Sequence, residues 1–415
     1  MKKNDLVGKA FWSLMSQIFS RGSLIVSAIV LTRHLNTSDF AAYSYFQLTI
    51  SMLAVYAAMG LGVTSSRYFA EVGHEKHGSI PAPLGLLWLT SIVIAITVFA
   101  VILVAPSRLV TAGLPIPKWL IALGVLTLTL EIVPGGAVLG LERYKQSSLI
   151  CMISGAMTLV GALYASIKSD PLWAMSVMVV AAFLQGVGES IIVVKAVGWK
   201  RLAVSRSMMV EGGLRLLKFA GPMLFISLIA ISGSWIVGRM VLIMENSLYE
   251  FSIYTIGLQW FALVLVLPGI IAKVILPRVV RTSLKTEATG QAKLIWQGIK
   301  ISTLTAFAVA LLGALMAPML IKMYGTQYNE NSWFLSEYML AAFLNAPANT
   351  LGNSIIANNG QMQWLKIMLI WFATLISTAI IMVRFDVNPG AVSLGIAAVV
   401  QTALGFYVAR SKKII

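Results

Sequence analysis

Long apolar runs alternate with short polar loops along the whole chain. A helix needs roughly 20 apolar residues to cross a bilayer. Twelve segments approach that length: 11–32, 41–63, 84–105, 118–140, 148–167, 172–195, 219–243, 249–272, 297–321, 333–357, 364–383 and 389–409. The pattern predicts an all-α integral membrane protein of about twelve transmembrane helices with no room for a sizeable soluble domain.

Charge in the loops alternates as sharply as the hydropathy. One set of loops and flanks carries Lys2, Lys3 and Lys9, then Arg67 and Lys76, Arg143 and Lys145, a cluster from Lys200 to Lys218, another from Lys273 to Lys300, Lys366, and Arg410, Lys412 and Lys413. The other set carries only Arg33, Arg108, Lys118, Lys168, Lys322 and Arg384. Positive loops stay in the cytoplasm, so both termini are expected there. Trp119, Trp173 and Trp333 open helices on the opposite side, as an interfacial aromatic belt would.

Composition agrees. Of 415 residues 58% are hydrophobic and only 11% charged, against about 25% charged in soluble domains. The net charge of +16 is a topology signal in this setting and not a nucleic-acid footprint. The single cysteine, Cys151, excludes an intramolecular disulfide and reads as a small apolar filler. The first apolar run is too long for a signal peptide and is expected to be retained as a helix. Lys412 and Lys413 read as anchoring charges.

The chain carries signs of an internal repeat. Asp39-Phe40-Ala41-Ala42-Tyr43 opens the second helix and Glu250-Phe251-Ser252-Ile253-Tyr254 the eighth. At the same spacing Arg67 falls on Arg278, and Pro134 falls near Pro347. Six crossings restore orientation, so the repeat would be parallel, with a substrate site between the halves near the midplane. The expected division is a lobe at 1–197, a cytoplasmic linker at 198–218 and a second lobe at 219–415.

Polar residues within spans are the functional candidates. Arg21 stands midway along the first span, where a charge costs about 2.5–3.5 kcal/mol on insertion scales and so faces protein or water. Gln17 precedes it by one turn on the same face. Arg21 reads either as a cavity residue for a phosphate or as the structural partner of an acid such as Glu131. Glu131 lies just before Pro134-Gly135-Gly136, which should kink the fourth helix. It reads as a proton carrier, or as an ion-pair partner of Arg21 or Arg239. Gln185 and Glu189 share a face of the sixth helix; Glu189 reads as water-facing or structural, with ion coupling beside Glu131 as the alternative. Arg239 lies near the outer end of the seventh helix and either snorkels or faces a cavity. Asn345, Asn349 and Asn353 form one stripe straddling Pro347, fit to bind sugar hydroxyls or to join helices. Trp235 and Trp260 lie within spans and read as lipid-contact or packing residues, with stacking on sugar rings as the alternative. Arg67 and Arg278 are candidates for a cytoplasmic mouth, and Pro134 and Pro347 for hinges.

The chain lacks the G-x-x-x-x-G-K-[ST] and H-E-x-x-H signatures and any long outer loop. His34, His74 and His77 show no metal-ligand spacing. Neither an enzyme, an ATP-driven pump, a metal nor a cofactor is indicated, which leaves a secondary transporter.

The stretch Leu31-Thr32-Arg33-His34-Leu35-Asn36-Thr37-Ser38-Asp39-Phe40-Ala41-Ala42-Tyr43, with Gly60-Leu61-Gly62 and Arg67-Tyr68, resembles the opening of the O-antigen (Wzx-type) polysaccharide flippases of the MOP superfamily. Leu139-Gly140-Leu141-Glu142-Arg143-Tyr144, Leu216-Leu217-Lys218-Phe219-Ala220-Gly221-Pro222, Phe251-Ser252-Ile253-Tyr254, Pro268 and Leu276-Pro277-Arg278 resemble later parts of the same family. The resemblance implies two six-helix bundles around a central cavity, in a MOP/MATE-like fold in the bacterial inner membrane. It implies alternating access that carries an undecaprenyl-pyrophosphate-linked oligosaccharide outward, with a polysaccharide polymerase and chain-length machinery as associates. Membrane lipids are partners and nucleic acid is not. Many relatives have an acid before the arginine of helix seven, where this chain has Gly238-Arg239. The competing expectation is a MATE-like exporter of organic cations. A major-facilitator transporter and a non-transporting polymerase or scaffold fit less well.

Overall fold

The computed structural model describes residues 3–58, 60–72, 84–199, 225–269, 288–331, 333–358 and 360–412. Helices follow the apolar runs: α1 Lys3–His34, α2 Thr37–Ala58, α3 Leu61–Val72, α4 Leu84–Val104, α5 Ser107–Thr111, α6 Lys118–Gly140, α7 Tyr144–Lys168 and α8 Pro171–Val197. They continue with α9 Phe225–Val241. Then come α10 Ser247–Val264, α11 Ala288–Met323, a 3-10 turn at Thr326–Asn331, α12 Trp333–Ala357, α13 Gln361–Arg384 and α14 Gly390–Ser411. The described residues contain no strand.

Among the described residues, eight helices are long and apolar enough to cross a membrane. α2, α10 and α12 fall short because they carry polar side chains such as Ser44, Gln47, Thr255, Gln259 and Asn345. These are also well-buried helices, with Phe40, Tyr45, Phe251, Tyr254 and Ala342 wholly or almost wholly inside. A helix covered by its neighbours need not be apolar all round.

One predicted span is corrected. The run at 41–63 is two helices, α2 and α3, and Gly60 between them has φ +73°. Only glycine takes that backbone without steric cost, and apolarity continues through the turn, so hydropathy alone does not register it. α11 begins nine residues before its apolar window at 297, on a polar first turn that includes no span-grade run.

The described residues form two compact units, Met1–Ile231 and Ser232–Ile415. In the first, α6 is central and packs on α2, α3, α4 and α8, while α7 packs on α1 and α8. The α3–α6 crossing is made of small residues. A Cβ on Gly136 would overlap the Gly62 carbonyl, and one on Gly140 would overlap that of Ser66. Close backbone approach of this kind is the main source of helix association in lipid. Ser65 Oγ adds a bond to the Val133 carbonyl at 2.8 Å, and Ser91 Oγ one to Thr129 at 3.1 Å. Hydroxyls therefore serve carbonyls near Pro134, and α6 runs through that proline without a break.

In the second unit, α12 packs on α10, α11 and α14. Tyr338 of α12 fills a slot that only glycine can leave: a Cβ on Gly257 or Gly390 would overlap its ring or hydroxyl. α9 packs Gly233 against Trp371 and Leu375 of α13.

Candidate functional site: a polar pocket over two carboxyls

The site lies wholly within the first unit. Its helices are set by short, well-defined corners. Ser169 takes a left-handed conformation after α7, Asp170 caps α8 by accepting from the Leu172 N–H at 2.9 Å, and Pro171 starts α8. α6 starts after Pro117, and Lys118 Nζ ties it to the Ala105 carbonyl at 2.9 Å.

A pocket of about 220 Å³ opens among α1, α2, α6, α7 and α8. Hydroxyls and amides line much of it: Ser20 and Ser23 on α1, Gln47 and Ser51 on α2, and Ser154 and Thr158 on α7. Glu131 of α6 and Gln185 of α8 close one side. Gln185 Nε2 donates to Glu131 Oε1 at 2.9 Å.

Glu189 lies one turn beyond Gln185 and is 2% exposed. Ser147 Oγ donates to its Oε1 at 3.4 Å. Its Oε2 is buried with no hydrogen-bond partner among the described residues. A Cβ built on Gly135 would stand 3.0 Å from Glu189 Oε2 and 3.5 Å from Glu131 Oε1. The two carboxyls thus converge on the bare backbone of Gly135, one wetted by the pocket and one sealed beneath it. Nearby, Cys151 is buried and its Sγ accepts from Ser16 Oγ at 3.3 Å, which is the packing role expected of it.

Arg21 is exposed on α1, and its Nε donates to Gln17 Oε1 at 3.4 Å. Among the described residues it has no carboxylate partner. Glu131 takes its bond from Gln185, so the expected alternative of an Arg21–Glu131 pair is not what forms. Arg21 shares its helical stripe with Leu24 and adjoins Ser20, both of which line the pocket.

The remaining candidates are placed as follows. Arg239 lies over the Trp235 ring, 5.6 Å from its centroid. Asn345 donates to Gln401 Oε1 of α14 at 3.4 Å, and Gln401 in turn points at Met368 Sδ at 3.0 Å, so this amide joins helices. Asn349 and Asn353 continue the stripe on α12, partly exposed, with Pro347 inside the helix. Trp260 is a packing residue whose Nε1 bonds Tyr324 at 2.9 Å. Arg67 falls on α3. Arg278 and residues 200–218 of the expected linker lie outside the described residues. Sequence reasoning named Glu131, Gln185 and Glu189 but not their convergence, nor the pocket hydroxyls of α1, α2 and α7. The available signal was the Gly135-Gly136 pair, which marks where a neighbour comes close.

No protein-family model matches the chain. No curated protein matches it in sequence. Solved structures match it in fold. An inward-facing multidrug resistance MATE family transporter of the MOP superfamily aligns with a TM-score of 0.78 at 13% identity, over 97% of this chain and 98% of that one. An outward-facing MATE transporter of the same superfamily gives 0.73 at 14%, over 99% and 95%. A MOP superfamily transporter from Pyrococcus furiosus, for which a reversed polarity of the binding pocket suggests a different function, gives 0.65 at 13%, over 99% and 95%. The likeness defines the architecture: this is an all-α, multi-pass membrane protein with the MATE/MOP transporter fold.

Proposed function

We propose that the protein is a flippase that moves an undecaprenyl-pyrophosphate-linked oligosaccharide, such as an O-antigen repeat unit, from the cytoplasmic to the periplasmic leaflet of the bacterial inner membrane. The observation that supports this most is Arg21. A guanidinium stays charged in any protein site. Here it stands halfway along the first span, exposed, held by an amide and not neutralised by a carboxylate among the described residues. Such a group matches a diphosphate through parallel charge-assisted hydrogen bonds. Alternating access is the proposed motion, in keeping with the fold, and the asparagine stripe beyond Asn345 offers amides to sugar hydroxyls.

In this account Glu131 and Glu189 serve ion coupling and not cargo. Their oxygens turn toward Gly135 and their partners are Gln185 and Ser147 of the same unit. Arg67 is the proposed contact at the cytoplasmic mouth, Arg239 a proposed further phosphate contact, and Pro134 and Pro347 the proposed bending points. A polymerase and chain-length machinery would consume the product.

The second reading, an ion-coupled exporter of organic cations, is favoured by the same two carboxyls beside a polar pocket. Flipping of a fluorescent lipid-linked oligosaccharide in proteoliposomes, set beside drug susceptibility of a deletion strain, separates them. The flippase reading expects flipping and unchanged susceptibility.

A further inference from the structure

Besides the polar pocket, the first unit carries a second concavity of opposite character. A groove of about 610 Å³ runs between α4, α6 and α8. That volume is in the range of ligand sites, commonly 300–1,000 Å³. Ile92, Phe183, Val187 and Ile191 form its walls and remain 40–50% exposed. Ser91, Pro134, Gly186 and Ser190 also line it.

One end of the groove is different. Lys195, Trp199 and Trp88 gather there. Lys195 is exposed and makes no ion pair among the described residues. The Trp88 indole N–H is buried and has no acceptor among them. From Phe183 to Lys195 the groove follows α8 for about 18 Å at 1.5 Å per residue. That is close to one leaflet of hydrocarbon, about 15 Å. The charged end lies at the α8 terminus next to the basic cluster at 200–218, the side that loop charge assigns to the cytoplasm.

We propose that this groove is a binding site for an anionic phospholipid of the cytoplasmic leaflet. One acyl chain lies against α4 and α8, the phosphate pairs with Lys195, and the Trp88 N–H donates to an ester oxygen. Tryptophans at the headgroup level are where such rings normally sit. The groove is one leaflet deep, so an acyl chain fills it, whereas a polyprenyl tail is far too long. The groove shares only Thr127 with the lining of the polar pocket, and the proposal does not depend on which cargo is moved.

The test is photolabelling of the full-length protein in phosphatidylcholine vesicles doped with phosphatidylglycerol bearing a diazirine on one acyl chain. Labelled peptides are mapped by mass spectrometry. The expected result is labelling concentrated on α4 and α8 around Ile92, Val187 and Ile191. Unlabelled phosphatidylglycerol competes and phosphatidylcholine does not. Lys195→Glu lowers labelling there roughly five-fold or more, and Trp88→Phe, which removes only the N–H, lowers it less. Labelling spread evenly over the lipid-facing helices, equal competition by phosphatidylcholine, or full labelling of Lys195→Glu would each overturn the site. Stronger displacement by undecaprenyl phosphate than by phosphatidylglycerol would overturn the assigned occupant.

Discussion

Gln185 Nε2 donates to Glu131 Oε1 across 2.9 Å and so ties α8 to α6 at the side of the polar pocket. The bond is a polar tie between the two helices, beside the contact of Gly186 on α8 with Glu131. Gln185→Leu removes the donor and leaves a carboxylate oxygen unpaired. A buried group stripped of its partner costs about 1–3 kcal/mol. The expected outcome is a lower melting temperature of the detergent-purified protein, followed by fluorescence-detected gel filtration, with transport reduced as well. An unchanged melting temperature would show that the tie contributes nothing to the fold.

Glu131→Gln and Glu189→Gln keep volume and hydrogen bonding but cannot carry a proton. In the coupled account, each variant retains downhill exchange of cargo in proteoliposomes and loses acceleration by an imposed proton gradient. Gradient-stimulated transport at the wild-type rate in both variants would remove the carboxyls from the coupling step.

The α3–α6 crossing makes a sharper prediction about stability. Gly136→Ala places a methyl group against the Gly62 carbonyl, and backbone cannot step aside. Overpacking of this kind costs typically 1–3 kcal/mol. Gly22→Ala on α1 meets nothing within 4 Å. Alanine is favoured over glycine in helices by about 1 kcal/mol. The first variant should melt lower than wild type and the second no lower, measured side by side in one detergent.

The two acid-Phe-x-x-Tyr turns noted in the sequence pack alike in the structure. The Phe40 and Tyr43 rings stand 6.4 Å apart and tilted by 31°, and the Phe251 and Tyr254 rings 6.3 Å apart and tilted by 36°. All four side chains are 0–1% exposed. The same i, i+3 spacing near the start of a helix gives the same packing in each unit, because helix geometry fixes which side chains meet. The limits of several long apolar helices were legible for a related reason: span length is set by the bilayer, as for Lys118–Gly140.

What could not be read follows from chain crossings. Gly60 ends α2 inside an unbroken apolar run, and only its backbone angle marks the corner. Glu131 and Glu189 are 58 residues apart in sequence and come together where Gly186 of α8 packs on the α6 backbone and Gly135 leaves room for the carboxyls. Asn345 looked equally suited to sugar or to a neighbouring helix, and the deciding partner, Gln401, lies two helices later. Hydropathy has no term for any of these contacts.

The most direct measurement is flipping of a lipid-linked oligosaccharide in proteoliposomes by wild-type protein, Arg21→Ala and Arg21→Lys. All three should insert and melt alike, since Arg21 is exposed and bonded only to Gln17 among the described residues. The account predicts near-complete loss in Arg21→Ala and partial retention in Arg21→Lys, where charge survives but the bidentate fork does not. Wild-type flipping by both variants would contradict it.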